Sequence, residues 1–75
     1  MNRDSGIEFQ LEGKEFIELC QLLKRVGLCE NGGHAKAVIS DGLVQVDGEV
    51  DLRKRLKVRA GQVVNFEGES IHVIE

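Results

Sequence analysis

Two Gly-Leu steps, Gly27-Leu28 and Gly42-Leu43, each close a stretch of helical periodicity and confine any long helix to positions before 43. A glycine just past a helix end takes the left-handed conformation, and the apolar residue after it packs back on the last turn. Ahead of the first step, Phe16, Cys20, Leu23 and Gly27 fall at i, i+4, i+7 and i+11, with Ile17, Leu19 and Val26 widening the stripe. This predicts an amphipathic helix after Gly13, with Glu15 and Glu18 near its positive end, Lys24 and Arg25 near its negative end, and Leu28 on Leu23. Ahead of the second step, Asn31 is a good N-cap for a shorter helix whose inner face is Ala35, Val38 and Ile39, with Leu43 placed to contact Val38. Gly32 and Gly33 in its first turn cost about 1 kcal/mol each in helix propensity. Close approach of a partner backbone would offset that cost.

The rest of the chain alternates with period two. Ile7, Phe9 and Leu11 alternate with Glu8, Gln10 and Glu12, the pattern of a strand with one buried face. Val44-Gln45-Val46, Asp47-Gly48 and Glu49-Val50 predict a hairpin, because Asp-Gly tolerates positive φ. A two-residue turn sets Val50 opposite Gln45, and a three-residue loop sets it opposite Val46; the second is preferred because it buries both valines. Ala60-Gly61 is a turn, Val63, Val64 and Phe66 form a strand, and Ile71, Val73 and Ile74 form the last one after Gly68. With no linker or low-complexity stretch, residues 1–75 are expected to fold as one α+β domain, two helices packed on a small, mostly antiparallel sheet. There is no Trp or Tyr and only three Phe, so the core must be aliphatic, and base stacking by aromatic side chains is limited.

Charge divides along the chain. The net charge is −3, yet residues 24–59 carry eight basic and five acidic groups, while residues 1–23 carry two and five, and residues 60–75 none and three. The basic excess peaks in Arg53-Lys54-Arg55-Leu56-Lys57-Val58-Arg59, five cations in seven positions with no acid among them. Such density invites a polyanion, although a solvated strand with Leu56 and Val58 pointing inward would show the same pattern. Lys24, Arg25 and Lys36 extend the positive surface if the helices pack beside the hairpin, and the acidic flanks are expected to point elsewhere.

These features, in this order, resemble the S4-like RNA-binding domain, or αL module, of a ribosomal protein, pseudouridine synthases, some tRNA synthetases and heat-shock ribosome-binding proteins. The resemblance covers about residues 16–64: Leu19 and Leu23 before Gly27-Leu28, Ala35-Lys36 and Ile39, Asp41-Gly42-Leu43-Val44, Val46-Asp47-Gly48, and Val58-Arg59-Ala60-Gly61-Gln62-Val63. The size is similar to that of small stand-alone bacterial members in which the module is nearly the whole protein. It implies an RNA-facing surface on the helix pair and hairpin, with candidate contacts Lys24, Arg25, Lys36, Arg53, Lys54, Arg55, Lys57 and Arg59. Two positions depart from the family: Asn31-Gly32 stands where Ser-Arg is common, and Gln62 where an acid often follows the glycine.

The implied partner is structured RNA, rRNA- or tRNA-like, bound without catalysis or cofactor. A ribosome or an RNA-modifying protein is a further possible partner, and the chain is expected to be a monomer. The alternative is an adaptor whose basic strip meets an acidic protein. Cys20, Cys29, His34 and His72 form no catalytic pairing, and the two cysteines have no zinc-ligand spacing, so both are expected to be reduced structural thiols. Asn31-Gly32-Gly33 lacks the Lys-Ser/Thr of a nucleotide-binding loop, leaving His34 as a surface residue or a minor phosphate contact. No apolar run is long enough to span a bilayer and the start lacks a signal-peptide pattern, so the cytoplasm is the expected compartment.

Overall fold

The computed structural model describes residues 6–75. Its elements run β1 (Gly6–Gln10), β2 (Ile17–Glu18), α1 (Leu19–Arg25), α2 (Gly32–Ser40), β3 (Val44–Val46), β4 (Glu49–Val50), β5 (Lys57–Val58), β6 (Val63–Phe66) and β7 (Glu69–Ile74). Five strands form one sheet in the order β1-β7-β6-β3-β4, and β2 pairs with β5 in a separate two-stranded ribbon. Within the five-stranded sheet only β1 and β7 run parallel. One face of it, carrying Val44, Val46, Val64, Phe66, Ile71 and Val73, shares a single core with Leu19, Leu22 and Leu23 of α1 and Ala35, Val38 and Ile39 of α2. The α+β architecture is the one expected, with an aliphatic core in which Phe66 is the one fully buried ring.

Both helices end as their Gly-Leu steps predict. Gly27 N–H donates to the Lys24 carbonyl and Leu28 N–H to the Leu23 carbonyl, both at 3.1 Å, with Gly27 at φ 85°. Gly42 and Leu43 repeat the pattern onto Ile39 and Val38. These paired bonds satisfy carbonyls that a helix end leaves unpaired. The Leu43 side chain, however, is 55% exposed. Asn31 caps α2 as expected, its Oδ1 accepting from the His34 N–H at 2.8 Å.

The start of α1 differs from expectation. Phe16 lies outside the helix, Ile17 and Glu18 are extended against Val58 and Lys57, and helical turns begin only at Leu19. No acidic residue falls in the first turn; Glu18 stands at the N-cap, near the positive end as expected but without a side-chain cap hydrogen bond, and Glu15 lies three residues before it. The cause is tertiary: Leu19 N–H donates to the Leu56 carbonyl (2.9 Å) and Cys20 N–H to the Lys54 carbonyl (3.1 Å). Those carbonyls supply from a distant segment what a local cap would, and an apolar stripe reads the same whether its first residues are strand or helix.

The hairpin also corrects the preferred register. Val46 faces Glu49 and Gln45 faces Val50, which leaves Val50 53% exposed. Asp47 and Gly48 both have positive φ (53° and 88°), the two-residue type I′ geometry that matches strand twist. Asp47 is held there by β6: its N–H donates to the Val63 carbonyl at 2.8 Å, and its Oδ1 accepts from the Val63 N–H at 3.0 Å.

Two glycines give a stability test in which only backbone conformation differs. A Cβ added at Gly27 or at Gly32 would meet nothing within 4 Å, but only Gly27 has positive φ. Gly27→Ala is therefore expected to destabilise the fold by about 1–2 kcal/mol. Gly32→Ala is expected to stabilise it by about 0.4–1 kcal/mol. Urea unfolding of both variants beside the parent checks the opposite signs.

Candidate nucleic-acid interface

The basic segment is fixed by its backbone before its side chains come into play. The Lys54 and Leu56 carbonyls are engaged by α1, and β5 is engaged by β2. Val58 is buried and Leu56 half-buried, while Arg53, Lys54, Arg55, Lys57 and Arg59 are all exposed. Over residues 55–59 the exposed cations alternate with the inward Leu56 and Val58, while Arg53, Lys54 and Arg55 are exposed in succession ahead of β5.

The five cations are not equivalent. Asp51 Oδ1 accepts from the Arg53 backbone N–H and Nε, each at 3.0 Å, and Oδ2 accepts from Nη2 at 2.7 Å. Arg55 donates through Nε and Nη2 to Glu18 Oε2 at 3.3 and 3.2 Å. Glu18 belongs to the acidic flank that was expected to face away, and it stands instead inside the basic face. Lys57 Nζ sits 5.1 Å and the Arg59 guanidinium 5.7 Å from the centroid of the Phe16 ring. An aromatic face attracts a cation through its quadrupole without cancelling its charge. Lys57 and Arg59 thus keep a full positive charge for an external anion, whereas Arg53 and Arg55 share theirs with carboxylates. Lys54 has no ion pair among the described residues.

Of the helix cations, Arg25 reaches this region: its guanidinium is 6.0 Å from the centroid of the Phe9 ring, and it lines one cavity with Phe9, Phe16 and Glu18. Lys24 and Lys36 are exposed, with no ion pair among the described residues. Gln62, the departure noted above, has a structural task. Its Oε1 accepts from the Arg59 N–H at 2.8 Å and its Nε2 donates to Asp47 Oδ2 at 3.2 Å, tying the end of the basic row to the hairpin turn.

His34 turns back on its own cap, Nδ1 accepting from the Glu30 N–H at 3.4 Å. Cys20 and Cys29 are buried and unpaired with each other; burial, and then the nearby Glu67 charge, push the Cys29 thiol upward, away from a reactive thiolate. Among the described residues no three His, Cys, Asp or Glu gather as metal ligands would. No described helix is long and apolar enough to cross a membrane. Phe9, Phe16, Glu18, Asp51 and Gln62 are the residues that sequence reasoning left out of the site. Only Asp51, two positions before Arg53, carried a local signal.

A helix pair closed by two glycine caps, a tight Asp-Gly hairpin and a docked basic strand define a protein class, and the chain belongs to the S4 domain family, whose model matches residues 9–74. Among individual proteins it is similar to YbcJ of Escherichia coli, 48% identical over 66 residues that cover 88% of this chain and 94% of YbcJ. The solution structure of that protein, described as revealing an αL motif involved in RNA binding, matches with a TM-score of 0.74 and 45% identity, covering 100% of this chain and 96% of the other. RlbA of Bacillus subtilis, a probable ribosome maturation protein, is 41% identical over 54 residues, 72% of this chain and 76% of RlbA.

The Asp51–Arg53 pair yields a pH prediction. The Arg53 side-chain hydrogen bonds, with its backbone N–H and its charge, hold the Asp51 carboxyl below its ordinary value, and partial burial opposes them more weakly. A depressed folded-state value contributes stability that is complete above the unfolded value of about 3.9 and is lost as pH falls through the folded one. The stability advantage of the parent over Asp51→Asn is expected to be present at pH 6 and to shrink below about pH 4. Urea unfolding of both proteins across that range measures it.

Proposed function

We propose that this chain is a non-catalytic, monomeric, cytoplasmic binder of structured RNA that engages the phosphate backbone through the outward row Lys54, Lys57 and Arg59, with Arg53, Arg55, Lys24, Arg25 and Lys36 around it. The observation that carries this reading is the seating of Lys57 and Arg59 on Phe16. Two cations with no carboxylate partner among the described residues are held by an uncharged ring on a strand whose backbone is already bonded. Orientation costs little on binding when the groups are held beforehand. The αL motif of the YbcJ structure supports RNA as the polyanion, and the RlbA similarity favours a ribosomal RNA or a ribosome-associated protein as the wider partner.

Cations of this kind contact phosphates without reading bases, and A-form RNA offers its backbone and 2′-hydroxyls rather than a readable major groove. Recognition is therefore expected to follow RNA shape. The adaptor alternative has one observation in its favour: Leu43, Val50 and Leu52 are all more than half exposed, and the side chains of Val50 and Leu52 both lie beside Gly42.

Titration of a hairpin RNA and a matched DNA by fluorescence anisotropy at two salt concentrations tests the proposal. Micromolar or tighter RNA binding is expected, weakening as salt rises. Lys57→Glu with Arg59→Glu is expected to reduce the log-log salt slope by about 1.4–1.8, at roughly 0.7–0.9 per lost phosphate contact. Arg53→Ala is expected to lower affinity less than Lys57→Ala, since Asp51 already offsets its charge. Absence of RNA binding at low salt, with capture of an acidic protein after nuclease treatment, would sink the proposal in favour of the adaptor.

A further inference from the structure

Two of the three aromatic rings lie outside the deep core. Phe66 is buried, whereas Phe9 and Phe16 are half-buried and stand in the wall of one cavity of about 300 Å³ at the junction of β1, β2 and α1. That volume is at the small end of ligand pockets, enough for a single heterocycle. Its lining is of mixed charge, with Arg25 and Lys14 beside the carboxylates of Glu12 and Glu18, the last already paired with Arg55. A phosphate entering would meet two like charges. A flat uncharged ring would meet a lining that includes Phe9, Phe16, Gln10 and Gln21, the last two being residues whose side-chain amides carry both donors and an acceptor.

The cations suited to phosphate meet one of the same rings. Lys57 and Arg59 are 5.1 and 5.7 Å from the Phe16 centroid, and neither is among the residues that line the cavity. Phe16 is thus shared between an aromatic-walled cavity of mixed charge and a pair of unneutralised cations. This is the division of a nucleotide itself, an uncharged stacking base joined to an anionic backbone.

We propose that the cavity accepts one unpaired nucleobase of the bound RNA, stacked against Phe16, while the adjoining phosphates lie on Lys57 and Arg59. The proposal rests on the RNA-binding reading and adds a specificity to it: RNA with a bulged or looped-out base is preferred over the same helix fully paired. Structured RNAs present such bases where their helices are interrupted, and stacking on an aromatic ring tolerates any base.

The test uses the full chain and two hairpin RNAs that differ by one bulged adenosine. Binding of the bulged hairpin is expected to be at least about fivefold tighter, the low end of what stacking one base on an aromatic ring yields. With no Trp or Tyr, the protein contributes only three Phe and two His to the aromatic proton spectrum, so with isotope filtering against the RNA signals NOEs from Phe16 to the adenine protons can be assigned. Such NOEs are expected, and Phe16→Leu is expected to bring the ratio of the two affinities to about one, any loss from unseating Lys57 and Arg59 falling equally on both hairpins. Equal wild-type affinity for the two hairpins, absence of the NOEs, or a preference that survives Phe16→Leu overturns the base slot and leaves the RNA-binding reading standing. Failure of the wild type to bind either hairpin at low salt overturns both. The wild-type comparison does not depend on the variant folding.

Discussion

The N–H groups of Leu19 and Cys20 donate to the Leu56 and Lys54 carbonyls, and the placement of the basic segment depends on these two hydrogen bonds. A helix start leaves several N–H groups without an intrahelical partner, and α1 has no side-chain cap. The distant segment fills that need, and in doing so it is laid along β2 with Val58 in the core and its charged residues outward. Capping the helix and presenting the cations are therefore one event. A buried helix end without partners would be costly, so the basic row cannot lift away without exposing α1 to that cost.

Once the row is fixed, its electrostatics follow from what lies beside each position. Asp51 is in hydrogen-bond reach of Arg53 through the local turn, and Glu18 is brought to Arg55 by the β2–β5 pairing. Exposed ion pairs of this kind add little to stability, but they set where neutralised charge sits. Phe16, displaced from the helix by the same pairing, becomes the seat for Lys57 and Arg59. The face is thus graded, with shared charge at Arg53 and Arg55 and unshared charge at Lys57 and Arg59, although the sequence presents five similar cations.

The parts of the fold that depend on neighbours in the chain were legible in advance. The glycine caps at Gly27 and Gly42, the Asn31 cap and the strands at 63–66 and 69–74 all rest on side chains acting within a few residues of themselves. The misread features were those decided from far away. The start of α1 was set by residues 54–56, and the hairpin register by the grip of β6 on Asp47, which overrides the gain from burying Val50. Within the site, the outward direction of Arg55, Lys57 and Arg59 followed from alternation with Leu56 and Val58, whereas Glu18 and Phe16, more than thirty residues away in sequence, carried no signal of their roles.

By itself, then, the sequence determined two glycine-terminated helices, a strand-rich remainder and a cluster of cations in one short segment, because periodicity, caps and charge density are properties of contiguous residues. Only the tertiary structure decided which of those cations stay unneutralised and which rings stand beneath them. That choice depends on β2 meeting β5 and on α1 borrowing its cap from residues 54–56, contacts that form only when distant parts of the chain satisfy each other's backbone.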